Sequence, residues 1–171
     1  AFFGVSYTQV LPAFAKEVLD VDATKAGFLL TGVGIGATLG HLGIAFLGDI
    51  KAKGQIMLTL AVAFMILLFV FSWLPWYWPS WVMVLFVGMT SMSYVSLATT
   101  ILQLSVPQRV QGRILSLWTL GAAMINIGAL PRGIVADLVN WQIAMCSGPI
   151  IALGIILWLV LTRPSLRQVK V

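Results

Sequence analysis

The sequence predicts an all-helical membrane protein with six transmembrane helices. Of its 171 residues, 60% are hydrophobic and only 9% are charged, whereas soluble proteins carry about 25% charged residues. The mean hydropathy is +1.03. So few charges could not cover this much apolar surface in water, which excludes a soluble fold. The net charge of +5 does not indicate nucleic-acid binding, because the basic residues stand singly between apolar stretches, as topology signals do.

Six apolar stretches, separated by short polar breaks, predict the helices of a single bundle that covers residues 1–171. The predicted spans are about 1–14, 27–47, 56–74, 81–104, 114–139 and 143–161. The first stretch is too short to cross roughly 30 Å of hydrocarbon at about 1.5 Å per residue. We therefore expect it to be the end of a truncated helix, and the chain to be a piece of a longer protein. Asp22 or Thr24 is the expected cap at the start of the second span.

The distribution of charge between the breaks predicts which side of the membrane each break occupies. If the spans alternate in direction, the breaks at 48–55 and 105–113 and the C-terminal tail share one side. That side carries a single acid, Asp49, and seven basic residues: Lys51, Lys53, Arg109, Arg113, Arg163, Arg167 and Lys170. Positive charge accumulates on the cytoplasmic side of membrane proteins. The C-terminus is therefore predicted to be cytoplasmic.

Glycines at four-residue spacing mark the second span as a packing helix. Gly32, Gly36 and Gly40 lie on one helical face. In lipid, such a stripe of small residues allows another helix to approach backbone to backbone. The second and fifth spans are both rich in small residues, and the first and fourth carry polar ones. This arrangement is typical of two three-helix units related by inverted topology.

The fourth span carries the candidate substrate-binding residues. Ser93, Ser96, Thr100 and Gln103 follow helical spacing along one face, with Tyr94 beside them. Polar groups inside hydrocarbon need partners, so this stripe is predicted to face a cavity. The alternative is that each hydroxyl bonds back to a carbonyl of its own helix. In the first span, Gln9 is the comparable candidate, with Tyr7 and Thr8 next to it.

Several ionisable residues lie within or beside the predicted spans. His41, inside the second span, is a candidate for proton coupling, or alternatively a neutral packing residue. Arg132, near the end of the fifth span, is expected to extend outward to the headgroups, or alternatively to contact a cavity. Four charged residues are expected to form a cytoplasmic latch, a set of ion pairs that holds helices together in one conformation, unless they are simply solvated: Asp49, Lys51, Arg109 and Arg113.

The sequence shows no arrangement typical of an enzyme. It contains no nucleophile–base pair, phosphate-binding loop or metal-ligand cluster, so neither a cofactor nor a metal is predicted. An intramembrane enzyme using His41 with Asp49 or Asp137 remains an alternative, but these residues are predicted to lie at different depths. The single cysteine, Cys146, is expected to be a small packing residue.

Four segments of the sequence are similar to one family of transporters. The segment LQLSVPQRVQGRILSL at 102–117 resembles a stretch of the major facilitator superfamily, in the branch that contains enterobactin exporters. The segments LPAFAKEVL at 11–19 and GVGIG at 32–36 resemble the same branch. The loop GDIKAKG at 48–54 resembles the superfamily's cytoplasmic Gly-Asp-Arg loop, with altered spacing. The likeness covers nearly the whole chain and matches the C-terminal six-helix half of such a transporter.

This resemblance implies a secondary transporter in the inner membrane of a bacterium. It implies proton-coupled efflux of a siderophore or drug-like small molecule by alternating access, with the missing N-terminal six-helix half as partner. The first and fourth spans would then line the cavity, and the second and fifth would pack against the other half. A passive membrane scaffold is the remaining alternative if this fragment is made alone.

Overall fold

The computed structural model describes residues 5–47 and 53–162, and every regular element in these ranges is an α-helix. The helices, in chain order, are α1 (Tyr7–Leu19), α2 (Ala23–Leu47), α3 (Lys53–Ser72), α4 (Tyr77–Leu104), α5 (Gln108–Leu138) and α6 (Trp141–Thr162). Pro107 directly precedes α5 and Asn140 directly precedes α6. The break predicted at 105–113 is shorter in the structure, because α5 already includes Arg109 and Arg113, and α1 extends to Leu19, beyond the predicted end at residue 14.

A tight turn joins α1 to α2. Asp20 ends α1 in the left-handed conformation, with a φ of 51° and its N–H donating to the carbonyl of Ala15. Short polar side chains tolerate this conformation better than most residues. The carboxylate of Asp22 then accepts a hydrogen bond from the N–H of Lys25 at 3.0 Å. Asp22 is thus the cap of α2, because it satisfies an N–H that the first helical turn leaves unpaired.

Helix α1 presents one fully apolar face to the rest of the bundle. Leu11, Phe14 and Ala15 on this face are completely buried. The ring of Phe14 packs on the ring of Phe71 in α3 with centroids 5.2 Å apart, and Tyr7 packs on Phe64 at 6.0 Å. Helix α1 also contacts α2, α5 and α6. It is therefore the central helix of the described bundle.

Helices α2 and α4 share the most extensive helix–helix contact. At three glycines the two backbones approach so closely that an added Cβ atom would overlap a carbonyl oxygen of the opposite helix. The pairs are Gly36 with Leu85, Gly40 with Met89 and Gly88 with Val33. The contact is looser at Gly32, where a Cβ would lie 3.3 Å from side-chain atoms of Trp81 and Val84. The glycine spacing in α2 thus corresponds to a helix–helix interface.

Three hydrogen bonds between side chains of α4 and carbonyls of α2 extend this interface. Tyr77 Oη donates to the carbonyl of Lys25 at 3.2 Å. Trp81 Nε1 donates to the carbonyl of Phe28 at 3.0 Å. Ser93 Oγ donates to the carbonyl of Gly40 at 3.1 Å. The bonds are spread along the pair, so α2 and α4 are held together from the start of α2 to Gly40.

Substituting Trp81 by phenylalanine should destabilise the protein slightly. The change keeps an aromatic ring but removes the N–H that donates to Phe28, and hydrogen bonds between membrane helices contribute about 0.6 kcal/mol on average. We expect a small fall in the midpoint of thermal unfolding in detergent. Trp78→Phe is the matched control, because Trp78 is 75% exposed. Equal shifts in the two variants would contradict a role for the hydrogen bond.

Four of the described helices are long and apolar enough to cross a membrane, judged by length and composition. They are Ala23–Phe46 in α2, Lys53–Ser72 in α3, Tyr77–Leu104 in α4 and Trp141–Trp158 in α6. No more than 28–33% of the residues in the most apolar part of each stretch are buried inside the bundle, as expected for helices that face lipid or another set of helices on one side. Spans in α1 and α5, and an inverted repeat, remain predictions.

The contacts of α3, α5 and α6 complete the bundle. Helix α3 packs against both α4 and α6, and α5 packs against α6 and α1. Three helices contain an internal proline: Pro12 in α1, Pro131 in α5 and Pro149 in α6. Between α4 and α5 the packing leaves a space, which is the candidate site.

Candidate functional site

A cavity of about 330 Å³ lies between the start of α1, the middle of α4 and the middle of α5. Its volume is at the lower end of the range of about 300–1,000 Å³ that is typical of small-molecule pockets. Among the residues whose side chains the structure describes, eight line it: Val5 before α1; Met92, Tyr94 and Val95 from α4; and Trp118, Thr119, Gly121 and Ile125 from α5. Because neither α4 nor α5 ends near these residues, the cavity lies far from both ends of these helices.

The lining is apolar apart from a few hydrogen-bonding groups. Tyr94 contributes a hydroxyl and Trp118 an indole. Thr119 Oγ1 donates to the carbonyl of Ser116 at 2.8 Å, so its oxygen can still accept a hydrogen bond from a ligand. The wall can therefore stack on a ring and exchange one or two hydrogen bonds.

The segments that surround the cavity contain no side chain that carries a formal charge near neutral pH. Residues 1–15, 77–108 and 114–131 include no Asp, Glu, Lys, Arg or His. Whatever the orientation of their side chains, these segments supply no formal charge to the cavity.

Of the six predicted substrate-binding residues, the cavity lining includes Tyr94. Ser93 lies in the α2–α4 interface, where it is 5% exposed and bonded to Gly40. Thr100 Oγ1 donates to the carbonyl of Ser96 at 2.9 Å. For Thr100, the structure therefore has the alternative arrangement, in which the hydroxyl bonds to a carbonyl of its own helix. The same helical face that carries Ser93 therefore looks toward α2.

The two predicted glutamines also lie apart from the lining. Gln9 is exposed on α1, on the side away from its buried face. Gln103 is exposed near the end of α4, and its backbone carbonyl accepts a hydrogen bond from Gln111 Nε2 at 2.9 Å. That bond joins the last turn of α4 to the first turns of α5.

The ionisable candidates are distributed over the surface of the bundle. His41 is exposed on α2, and its Nδ1 lies 2.8 Å from the carbonyl of Ala37, one turn earlier in the same helix. Arg109 and Arg113 are exposed in the first turns of α5. Asp49 and Lys51 lie outside the described residues. Neither His41 nor the two arginines belong to the cavity lining.

Arg132 does not extend outward as expected. It is only 4% exposed and lies one turn from Ala136, which is also buried. Residues four apart share a helical face, so this side of α5 is the one that packs against its neighbours. The sequence suggested an outward position because Arg132 lies near the predicted end of a span, but the orientation of the helix turns it into the bundle.

Most of the lining residues were not predicted from the sequence. The predicted binding residues were all polar, whereas Val5, Met92, Val95 and Ile125 are apolar and Gly121 has no side chain. An added Cβ on Gly121 would meet nothing within 4 Å. The available signal was the absence of charge from the three surrounding segments, and it does not distinguish a cavity wall from a lipid-facing surface.

A second concavity, of about 490 Å³, lies at the turn between α1 and α2. Lys16 and Asp22 are at its edge, but Asp22 already caps α2 and most of the lining is exposed. It is therefore a surface groove beside a turn. The described residues contain no group of three or more His, Cys, Asp or Glu side chains that could hold a metal ion.

Comparison with known proteins gives one match. A family model with the description "Transmembrane secretion effector" matches residues 1–170. No curated protein and no solved structure matches the chain. The family match covers nearly the whole sequence, and it includes all three helices that surround the cavity.

Proposed function

Because this chain belongs to the transmembrane secretion effector family, whose members are transporters of the major facilitator type, we propose that it expels a small molecule through the cavity between α1, α4 and α5. The observation that carries the proposal is the position of the cavity, at mid-length of the two long helices α4 and α5. A binding site near the middle of the bilayer is what alternating access needs, since the site must open to either side in turn. The substrate would be drug-like or a siderophore.

The chain is proposed to be the C-terminal half of a longer transporter. Support comes from broad apolar surfaces on α2 and α5 that no described helix covers. Their exposed residues include Phe28, Ile35, Leu39, Leu42 and Phe46 on α2, and Leu117, Leu120, Ile127, Leu130 and Ile134 on α5. An N-terminal six-helix half packed on these two helices would close the cavity from the open side.

The remaining parts of the proposal concern orientation and coupling. The C-terminus would lie in the bacterial cytoplasm, because the basic breaks fall on its side of the membrane. Asp49 and Lys51 would meet Arg109 and Arg113 there as the cytoplasmic latch. His41 is the only histidine in the chain, and we propose it as the proton-coupling residue, since ionisable residues inside membrane-spanning helices are rare and usually functional.

Filling the cavity should block efflux without unfolding the protein. Gly121 lines the cavity and has free space at its Cβ position, so the ring of a Gly121→Phe variant has room to enter the cavity. We expect at least a roughly tenfold loss of efflux from cells that express the full-length variant, because the ring occupies the volume that a substrate needs.

The matched control is Gly154→Phe. Gly154 on α6 also has nothing within 4 Å of an added Cβ, and it is absent from the cavity lining. Membrane expression of both variants is compared by immunoblot. Equal efflux by Gly121→Phe and Gly154→Phe, at equal expression, would exclude this cavity as the route.

A further inference from the structure

We propose that the cavity selects uncharged amphipathic molecules and rejects organic anions and cations of similar size. This inference rests on the proposed function, and it narrows the substrate class of the same site. It excludes the anionic siderophores that the family resemblance brings into consideration. This selectivity follows from the chemistry of the walls and not from their shape.

The walls that this chain supplies cannot compensate a formal charge on a ligand. The three segments that form them contain no Asp, Glu, Lys, Arg or His, and the nearest lining atoms are mostly hydrocarbon. A charged group that leaves water for such a site loses its hydration and gains no opposite charge. For an anion, the hydroxyl of Tyr94 and the indole N–H of Trp118 could each donate one hydrogen bond, which is too little to replace its hydration.

A cation gains too little from the same residues. Aromatic faces attract cations, and two aromatic side chains line the cavity. This attraction is small compared with the hydration that a buried cation loses. The walls therefore favour a neutral molecule over either ion.

The polar groups of the lining complete the description of the ligand. Thr119 Oγ1 can accept one hydrogen bond while it donates to Ser116 at 2.8 Å. Tyr94 adds a hydroxyl that can donate or accept. A neutral molecule with one aromatic ring system and one N–H or O–H group meets all of these features in a volume of about 330 Å³.

The test compares probes that share one ring system but differ in charge. N-phenyl-1-naphthylamine is neutral and has one N–H; 8-anilino-1-naphthalenesulfonate has the same rings and a negative charge. Both probes accept fluorescence energy from tryptophan. We measure this energy transfer in the purified full-length protein, and the part of the signal that is lost in Trp118→Phe reports binding beside Trp118. Tetraphenylphosphonium serves as the cationic competitor.

The wild-type protein should bind the neutral probe at least roughly tenfold more tightly than the sulfonate, and tetraphenylphosphonium should not displace it. Thr119→Lys should reverse the preference toward the sulfonate, and Thr119→Asp should allow displacement by tetraphenylphosphonium. Thr59→Lys and Thr59→Asp are the controls, because Thr59 is the same residue type, is exposed on α3 with its hydroxyl bonded to its own helix, and is absent from the lining. These controls should keep the wild-type preference.

If the charged Thr119 variants fail to insert, Thr119→Val and Tyr94→Phe keep the proposal testable. Each removes one hydroxyl from the lining, and we expect each to weaken binding of the neutral probe several-fold. Equal binding of neutral and anionic probes by the wild type, or displacement by tetraphenylphosphonium, would overturn the selectivity. Binding beside Trp118 with the stated preference but without any efflux would instead reject the proposed function and leave the selectivity in place.

Discussion

Gly36→Ala is expected to lower the stability of the protein by about 2–3 kcal/mol, although it adds only one methyl group. The added Cβ would overlap the backbone carbonyl of Leu85, and a backbone atom cannot move aside as the end of a side chain can. The two helices must separate, which also strains the hydrogen bond between Ser93 and Gly40. We expect the midpoint of thermal unfolding in detergent to fall by roughly 5 °C or more.

Gly34→Ala is the control for this experiment. Gly34 lies in the same helix, two residues away, with nothing within 4 Å of an added Cβ. Alanine stabilises an exposed helix by up to about 1 kcal/mol relative to glycine, so this variant should be neutral or slightly more stable. If Gly36→Ala unfolds at the same temperature as Gly34→Ala, then the two helices are not in backbone contact.

Phe14→Ala should be about equally damaging, at roughly 3 kcal/mol. Phe14 is completely buried and its ring contacts Phe71 in α3. Its loss leaves a void in the middle of the bundle, where the surrounding helices cannot collapse without moving α1. The measurement is again the unfolding midpoint, combined with the elution volume in size-exclusion chromatography.

Phe69→Ala tests whether the effect of Phe14→Ala comes from burial. Phe69 is the same residue type but is 39% exposed on α3, which is not one of the helices proposed to contact the N-terminal half. We expect a loss of no more than about 1 kcal/mol for Phe69→Ala. A comparable loss in both variants would mean that α1 is not the packed centre of the bundle.

Helical periodicity identifies which residues share a face, but not what that face meets. The spacing of Gly36 and Gly40 predicted a close helix neighbour, yet the neighbour is α4, about fifty residues further along the chain, and no local pattern names it. The same limit applies to Ser93. Its spacing with Ser96 and Thr100 suits a cavity or a helix interface equally well, and in the structure Ser93 bonds to Gly40 in the interface.

The cavity itself was beyond prediction from a single sequence, for a related reason. Val95 and Ile125 are residue types that are common on lipid-facing helices, and only the gap between α4 and α5 turns them into a lining. For Arg132, in contrast, the residue type suggested the wrong environment. Its charge suggested the membrane surface, but the rotation of α5 buries it at 4% exposure. Composition did predict a helical membrane protein, because long apolar stretches must form helices to satisfy their backbone groups in lipid.

The pairing of α2 with α4 also has a consequence for biosynthesis. The residues joined by its hydrogen bonds are 52 or 53 positions apart, and ribosomes add about 5–20 residues per second. Helix α2 therefore waits several seconds in the translocon or the bilayer before its partner is made. During that interval lipid, an earlier-made part of the same protein or another protein must cover its glycine stripe, because α4 does not yet exist.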